Sequence, residues 1–396
     1  MMATITKKKY YQLDHIWQTA IKMNGSVVLW KSPRENDKNL LIDLSSKISD
    51  SKIKIQASDM GFFISPFQNN DGENTFFLKA DALFKSKNNK KWELVNGKRM
   101  SVIDKSLKEY TLENRPPVYH TRDQSVDQMA NEKKHFIDLV NKSIRYIKRN
   151  EFEKVVIART FNKDLRDNFD ILTLFDKLSS AYQDAFVSLV SIPSKGTWIG
   201  ATPELLTEYS KKSFRTVSVA GTQQFSNDKN LSDAAWTQKE IREQAMVSRY
   251  IVDQFKKIRL RDYIETGPYS VRAGSMIHLK SEFSVDLENK GFPSLGATMT
   301  NLLHPTSAVC GMPKLSALQF IDENEHLNRG LYSGYLGPVN MGGISKLYVN
   351  LRCMQLFDQT AKLYAGAGIT FDSIPEKEWD ETTLKCHTLL DVMDSG

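Results

Sequence analysis

The run AFVSLVSI (Ala185–Ile192), followed by GTWIGATPELLTEYS (Gly196–Ser210) and FRTVSVAGT (Phe214–Thr222), decides the fold class. These stretches are rich in Val, Ile, Phe and Thr and are separated by turn-formers, so they read as strands. FEKVVIART from Phe152 reads as another, and two more are expected near Ser345 to Gln355 and Lys362 to Ile369, around the polar FDQT turn. From Trp30 to Val102, short apolar runs such as GFFISPFQNNDG from Gly61 and NTFFLKADALF from Asn74 suggest antiparallel hairpins. Helical spacing runs through Phe136 to Ile147, ending near Asn150, through about Ala234 to Phe255, and through roughly Glu376 to Met393. Strands dominate and rarely alternate with helices, which favours α+β with large antiparallel sheets over a doubly wound fold.

A chain of 396 residues can bury a substantial core, as two or three modest domains or one large one. The polar stretch from Lys105 to Lys133, with Pro116 and Pro117, is the expected connection between a β-rich part, residues 1–132, and a catalytic region, residues 133–396. Composition is that of a globular protein, 40% hydrophobic and 26% charged. The opening MMATITKKKYYQLDHIW lacks an apolar segment after its lysines, and no later stretch approaches a membrane helix, so a cytoplasmic location is expected. Cys310, Cys353 and Cys386 share no CxxC spacing and read as inert buried thiols. The net charge of +7 suits an anionic partner. Basic runs such as KSKNNKK (Lys85 to Lys91) lack interleaved aromatics, which argues against nucleic acid.

Four groups of residues could carry chemistry. Glu240 with Glu243, and Glu378 with Glu381, are i,i+3 pairs, so each projects from one helix face. Two such helices facing each other could hold Mg²⁺, which prefers oxygen ligands, although surface glutamates are also ordinary. Lys154 shares a strand face with Val156 and Ala158, and Glu204 follows Pro203. Burial favours a neutral amine and a neutral carboxylic acid, a base and an acid. The alternative is a solvated lysine and a turn glutamate. Arg352 in LYVNLRCMQL, Lys385, and the small-residue stretches around Gly221, Thr222 and Gly366 could gather an anion. On an unbroken strand Arg352 would face away from Leu351 and Cys353. His278 and His304 lack zinc-site spacing and suit structural hydrogen bonding.

The order of the segments is more specific than any one of them. FEKVVIART, IGATPELL, VAGT, IHLKS, LHPTSAVCGMPK, the ExxxRGLYSGYLG stretch from Glu325, LRCMQL, and YAGAGI followed by IPEKEWDETTLK together resemble the chorismate-utilising enzyme family. That family includes isochorismate, salicylate, anthranilate and aminodeoxychorismate synthases. The resemblance implies two large stacked antiparallel sheets with helices outside, the fold of anthranilate synthase component I, and a site in a cleft. It places the Mg²⁺ ligands on Glu243 and Glu381, supported by Glu240 and Glu378. Lys154 falls on the water-activating lysine and Glu204 on the acid that assists loss of the substrate hydroxyl. Gly221, Thr222, His278, Ala308, Arg352, Gly366 and Lys385 fall on positions that contact or line the chorismate pocket.

Within the family, Ala220 stands where aminodeoxychorismate synthases usually carry lysine, and Lys154 is usually missing from anthranilate synthases. LHPTSAVCGMPK looks like the isochorismate synthase form, with salicylate synthase as the alternative. The implied activity is Mg²⁺-dependent isomerisation of chorismate, for menaquinone or siderophore synthesis, with the oligomeric state open and a monomer compatible, and with no glutaminase subunit, nucleic acid or membrane expected. Two departures stand out: a usual KDRHEH word reads KEIREQ, and HLxT reads HLKS with Ser281.

Overall fold

A computed structural model describes residues 10–45, 49–50, 59–68, 75–87, 91–110, 116–122, 131–193, 195–224, 230–273, 276–288, 292 and 294–395. Two antiparallel sheets, one of ten strands and one of nine, form its centre. The strands Phe186–Ile192 and Gly196–Thr202 are buried along their whole length, which explains their nearly continuous apolar sequence. Between the sheets, Phe186 stacks on Tyr348 with centroids 4.1 Å apart, and Trp30 meets Phe62 at 5.4 Å. The helices Leu13–Lys22, Ile171–Ala181 and Pro375–Asp394 share a second apolar core with the ten-stranded sheet. Glu132–Lys148, Gln238–Lys257, Leu295–Leu303 and Lys314–Asn324 share a third.

The strands before the polar stretch join both sheets. Ser26–Lys31 pairs with Phe186–Ile192 in the ten-stranded sheet, and Gly61–Ser65 pairs with Tyr335–Val339 in the nine-stranded one. The stretch from Lys105 to Lys133 is not all connection, because the helix Met100–Glu109 runs into it. That helix buries only Ile103 and Leu107, too few positions for its period to be legible. Residues 111–115 and 123–130 of the stretch, and 88–90 of the basic run, lie outside the described residues.

The strand expected across Ser345 to Gln355 is broken. Ser345–Val349 belongs to the nine-stranded sheet and Cys353–Leu356 to the ten-stranded one, with Arg352 between them at φ 47°. Strand alternation therefore does not set the direction of Arg352. A second crossover lies beside it, where Gly196–Thr202 passes into Leu205–Tyr209 through Glu204. The two are laced together: Val349 N donates to Glu204 O at 3.0 Å, Thr202 Oγ1 to Val349 O at 2.6 Å, and Ala201 N to Arg352 O at 3.0 Å.

The strand Lys154–Asp164 lies next to the edge of the ten-stranded sheet, where its outer neighbour among the described residues is the two-residue strand Gly311–Met312. Beyond that neighbour, side chains complete the edge. Glu325 Oε2 accepts from Ala158 N at 2.7 Å, and Arg329 Nη2 donates to Val156 O at 2.8 Å. The same two residues form an ion pair at 2.6 Å, each 2% exposed, and Arg329 also reaches Val309 O at 3.0 Å. Removing one partner of such a pair leaves a buried charge and an orphaned amide. Glu325→Ala should cost roughly 3–5 kcal/mol, read as a lowered urea midpoint; a loss below about 1 kcal/mol would contradict the role given to the pair.

Candidate active site

Lys154 opens its strand opposite Met312 and is only 7% exposed. Its stem crosses Gly368: a Cβ there would stand 2.7 Å from Lys154 Cε and 3.1 Å from Nζ. Glycine at this position makes room for the amine. Glu204, at the crossover, lies within electrostatic reach of Lys154, and burial pushes its carboxyl up to about 7 against the opposing pull of Lys154 and Thr306. Thr306 Oγ1 makes no hydrogen bond of normal geometry, so its influence on Glu204 is one of proximity. Acid and amine therefore act on each other, with the acid part-protonated near neutrality.

The helix Pro375–Asp394 supplies the opposite wall. Lys385 Nζ lies 2.6 Å from Glu381 Oε1 and donates to Gly366 O at 2.8 Å. That carbonyl lies beyond Leu363, the last residue of its strand to pair with Cys353–Leu356, so the lysine sits where the two strands part. Gly366 is tight: a Cβ would fall 2.8 Å from the Tyr332 hydroxyl. Glu381 is 47% exposed yet crowded by cations, and Lys385, then Lys239 and Lys154, hold its carboxyl below the usual range despite its surroundings. Arg352 hydrogen-bonds Thr388 on the same helix, and burial lowers its pKa without making it neutral.

His278 and Gly221 come from the nine-stranded sheet. Gly221 is the extra residue of a bulge between Ala220 and Thr222, at φ +67°, which glycine adopts without strain. Its carbonyl lies 3.1 Å from His278 Nδ1 and can only accept, so Nδ1 carries the proton. Burial, with Arg352 and Lys385 nearby, drops the His278 pKa to about 4, and the ring is neutral at pH 7. Thr222 pairs with His278, although its side chain lies outside the described residues. Ala308 is half-buried just after Thr306. His304, the structural candidate, has its Nε2 3.0 Å from Pro66 O.

The four glutamates differ in what they can do. Glu378 is 3% exposed, its carboxyl raised by burial and then, beyond the opposing bond from Ser373, by the neighbouring charge of Glu381. Lys239 Nζ lies 3.8 Å from it, so the helices Gln238–Lys257 and Pro375–Asp394 meet here. Glu240 is engaged elsewhere: it closes a capping box with Thr237 and accepts from Gln223 Nε2 at 2.8 Å. Glu243 is half-buried one turn further along. No cluster of three or more His, Cys, Asp or Glu able to hold an ion is found among the described residues. Glu378 and Glu381 nevertheless lie close enough to act on each other, and neighbouring carboxylates are oxygen donors that fit a hard cation whose remaining positions are filled by water or substrate oxygens, the habit of Mg²⁺.

Ser281, the departure from HLxT, is 1% exposed and accepts from Gln244 Nε2 at 3.1 Å, so it serves packing behind the site. Sequence reasoning missed Thr306 beside Glu204, Tyr332 over Gly366, and Arg159, whose buried guanidinium grips the helix of Glu381. An arginine inside the apolar run VVIART was the available signal for the last.

An acid and an amine within electrostatic reach of each other at the seam of two antiparallel sheets, with arginine and lysine side chains nearby, form a site suited to a small anion. Residues 12–394 match the family described as chorismate binding enzyme, and the chain belongs to that family. It is 29% identical over 282 residues, 69% of this chain and 71% of the relative, to isochorismate synthase EntC of Escherichia coli. It is 28% identical over 242 residues, 60% of this chain and 61% of the relative, to a vibriobactin-specific isochorismate synthase of Vibrio cholerae. Its fold matches the solved menaquinone-specific isochorismate synthase MenF of Escherichia coli with TM-score 0.78 at 19% identity, covering 98% of this chain and 94% of that one. Anthranilate synthase component I of Streptococcus pneumoniae matches at TM-score 0.64 and 18% identity, with 98% and 93% covered. Among the described residues, no helix is long and apolar enough to cross a membrane.

The raised carboxyl of Glu204 has a thermodynamic signature. Below about pH 4.5 the group is neutral both folded and unfolded; as pH rises towards about 7 only the unfolded chain releases the proton, so stability falls across that window. Glu204→Gln should remove this loss and be more stable than the parent at pH 8 but not at pH 4, as read from urea midpoints. Parallel pH profiles for the two proteins would refute the burial of Glu204.

Proposed function

We propose that this chain is an isochorismate synthase, converting chorismate to isochorismate with Mg²⁺. The reaction adds water at C2 of the ring and removes the C4 hydroxyl, so atoms balance without a redox partner. It needs one group to take a proton from water and another to give one to the departing hydroxyl. Lys154, in its deprotonated form, is assigned the first role and Glu204, in its protonated form, the second. The observation that carries the reading is the half-buried Glu204, raised to about 7 by desolvation within reach of Lys154, because an acid ready to donate near neutrality is what the leaving group requires.

Chorismate is a dicarboxylate. Arg352 and Lys385 are suited to one carboxylate, and the neutral His278, held by Gly221, offers a polar contact without adding charge. Glu381 and Glu243, with Glu378 behind, would hold Mg²⁺, which supplies charge neutralisation at the other carboxylate. Ala220 leaves no lysine at that place to form an adduct with the ring. The names of the relatives, siderophore-specific and menaquinone-specific isochorismate synthases among them, point the same way.

Incubating the pure chain with chorismate and Mg²⁺ and resolving products by chromatography tests the reading. Isochorismate alone supports it; salicylate with pyruvate would make the chain a salicylate synthase, and a product formed only with ammonia an aminating enzyme. Lys154→Ala should lower turnover by about 10²–10⁴-fold with the fold intact, and Gly368→Ala, which crowds the amine, should lower it less. Near-normal turnover in both would remove Lys154 from the chemistry. Glu381→Ala should raise the Mg²⁺ concentration for half-maximal rate by about tenfold or more; an unchanged Mg²⁺ requirement would exclude it as a ligand.

A further inference from the structure

Arg159 lies on the same strand as Lys154 in the opposite phase, so the two side chains leave opposite faces of the sheet. In the ladder Ala158 faces Gly366 of the site, whereas Arg159 faces Ala365 on the side of the helix Pro375–Asp394. Its guanidinium, 5% exposed, donates from Nε to Thr382 Oγ1 at 2.7 Å and from Nη2 to Thr383 Oγ1 at 2.8 Å. Both hydroxyls give their own protons to Trp379 O, at 2.7 and 3.1 Å, which leaves their lone pairs for the arginine. The guanidinium also lies 3.7 Å from the centroid of the Trp379 ring and 3.6 Å from Glu132 Oε1.

At this end of the helix the arginine adds to one aromatic contact, Trp379 against the Phe136 ring at 5.8 Å. The buried apolar residues of the helix, Cys386, Leu389, Leu390 and Val392, all belong to the C-terminal half, while the N-terminal half buries Glu378 and Thr382 and has no side-chain cap. Thr382 and Thr383 directly follow Glu381. A helix turns by about 100° per residue, so holding those two hydroxyls also sets the direction in which Glu378, Glu381 and Lys385 point. We propose that Arg159 is a positioning residue that holds these three side chains in register with Lys154 by clamping Thr382 and Thr383. The inference rests on the isochorismate synthase reading, and it mounts base and anion-binding helix on one strand.

Arg159→Met keeps the length and the contact with Trp379 but removes the donors. Amide hydrogen exchange on the full chain reads the clamp without any ligand, and residues 378–385 should exchange about tenfold faster in the variant. In turnover assays the KM for chorismate and the half-saturating Mg²⁺ should each rise by about fivefold or more while kcat at saturation stays within about threefold. The pH profile should not move, and Arg159→Lys should recover part of both effects. Unchanged exchange overturns the clamp, and faster exchange with unchanged KM and Mg²⁺ requirement reduces Arg159 to a stabilising residue and overturns the positioning role. Should the methionine variant not fold, Thr383→Val removes half of the clamp and is read in the same way. Wild-type chain that yields no isochorismate sinks the functional reading instead, and the exchange difference still decides the clamp.

Discussion

The buried ion pair of Glu325 and Arg329 is the constraint on which the rest of the site depends. A strand beside a sheet edge has amides and carbonyls that need partners, and here the neighbouring strand is two residues long. Glu325 and Arg329 take its place, bonding Ala158 and Val156 while neutralising each other. Desolvating two charges is expensive, and the cost is offset by bidentate geometry, by the bond to Val309 O, and by the Phe67 ring 4.1 Å from the guanidinium. The strand that bears Lys154 is thereby held on both sides, and its amine keeps a fixed place above Gly368.

Around that amine, charges of both signs are interleaved. Lys154, Lys385 and Lys239 all act on Glu381, and Arg352 feels the same carboxylate. Paired this way, the cations are tolerated before any ligand arrives, and their attraction is delivered at short range where solvent screening is weak. His278 is the exception: its ring stays uncharged among these cations, so it can orient a ligand without adding to the field. The overall charge of +7 concerns the approach of an anion, whereas these local pairs concern its seat.

Much of this was legible in the sequence because it depends on local pattern. The apolar runs from Ala185 to Thr222 and from Phe152 are strands, and the spacing around Ile241 and Glu376 marks the helices. The ordered words gave the family and the two-sheet fold. What stayed hidden depends on contacts between distant segments. Arg352 sits at a backbone break that alternation cannot foresee, Glu240 is absorbed by a capping box, and the short helix Met100–Glu109 has too little buried surface to show its period. The ion pair of Glu325 and Arg329 was visible as a word but not as the missing edge of a sheet, because its partners Val156 and Ala158 are remote in the chain.

The interleaving of early and late strands has a consequence for biosynthesis. Gly61–Ser65 finds its neighbour only when Tyr335–Val339 has been made, and Ser26–Lys31 waits for Phe186–Ile192. At ribosomal speeds of about 5–20 residues per second the first of these delays lasts on the order of tens of seconds. Through that interval Trp30, Phe62 and Phe63, buried in the folded chain, lack the later strands that help cover them. Late closure of this kind is slow, because loop-closure entropy is paid before the distant strands pair, and it lengthens the time for which apolar strand edges stay open.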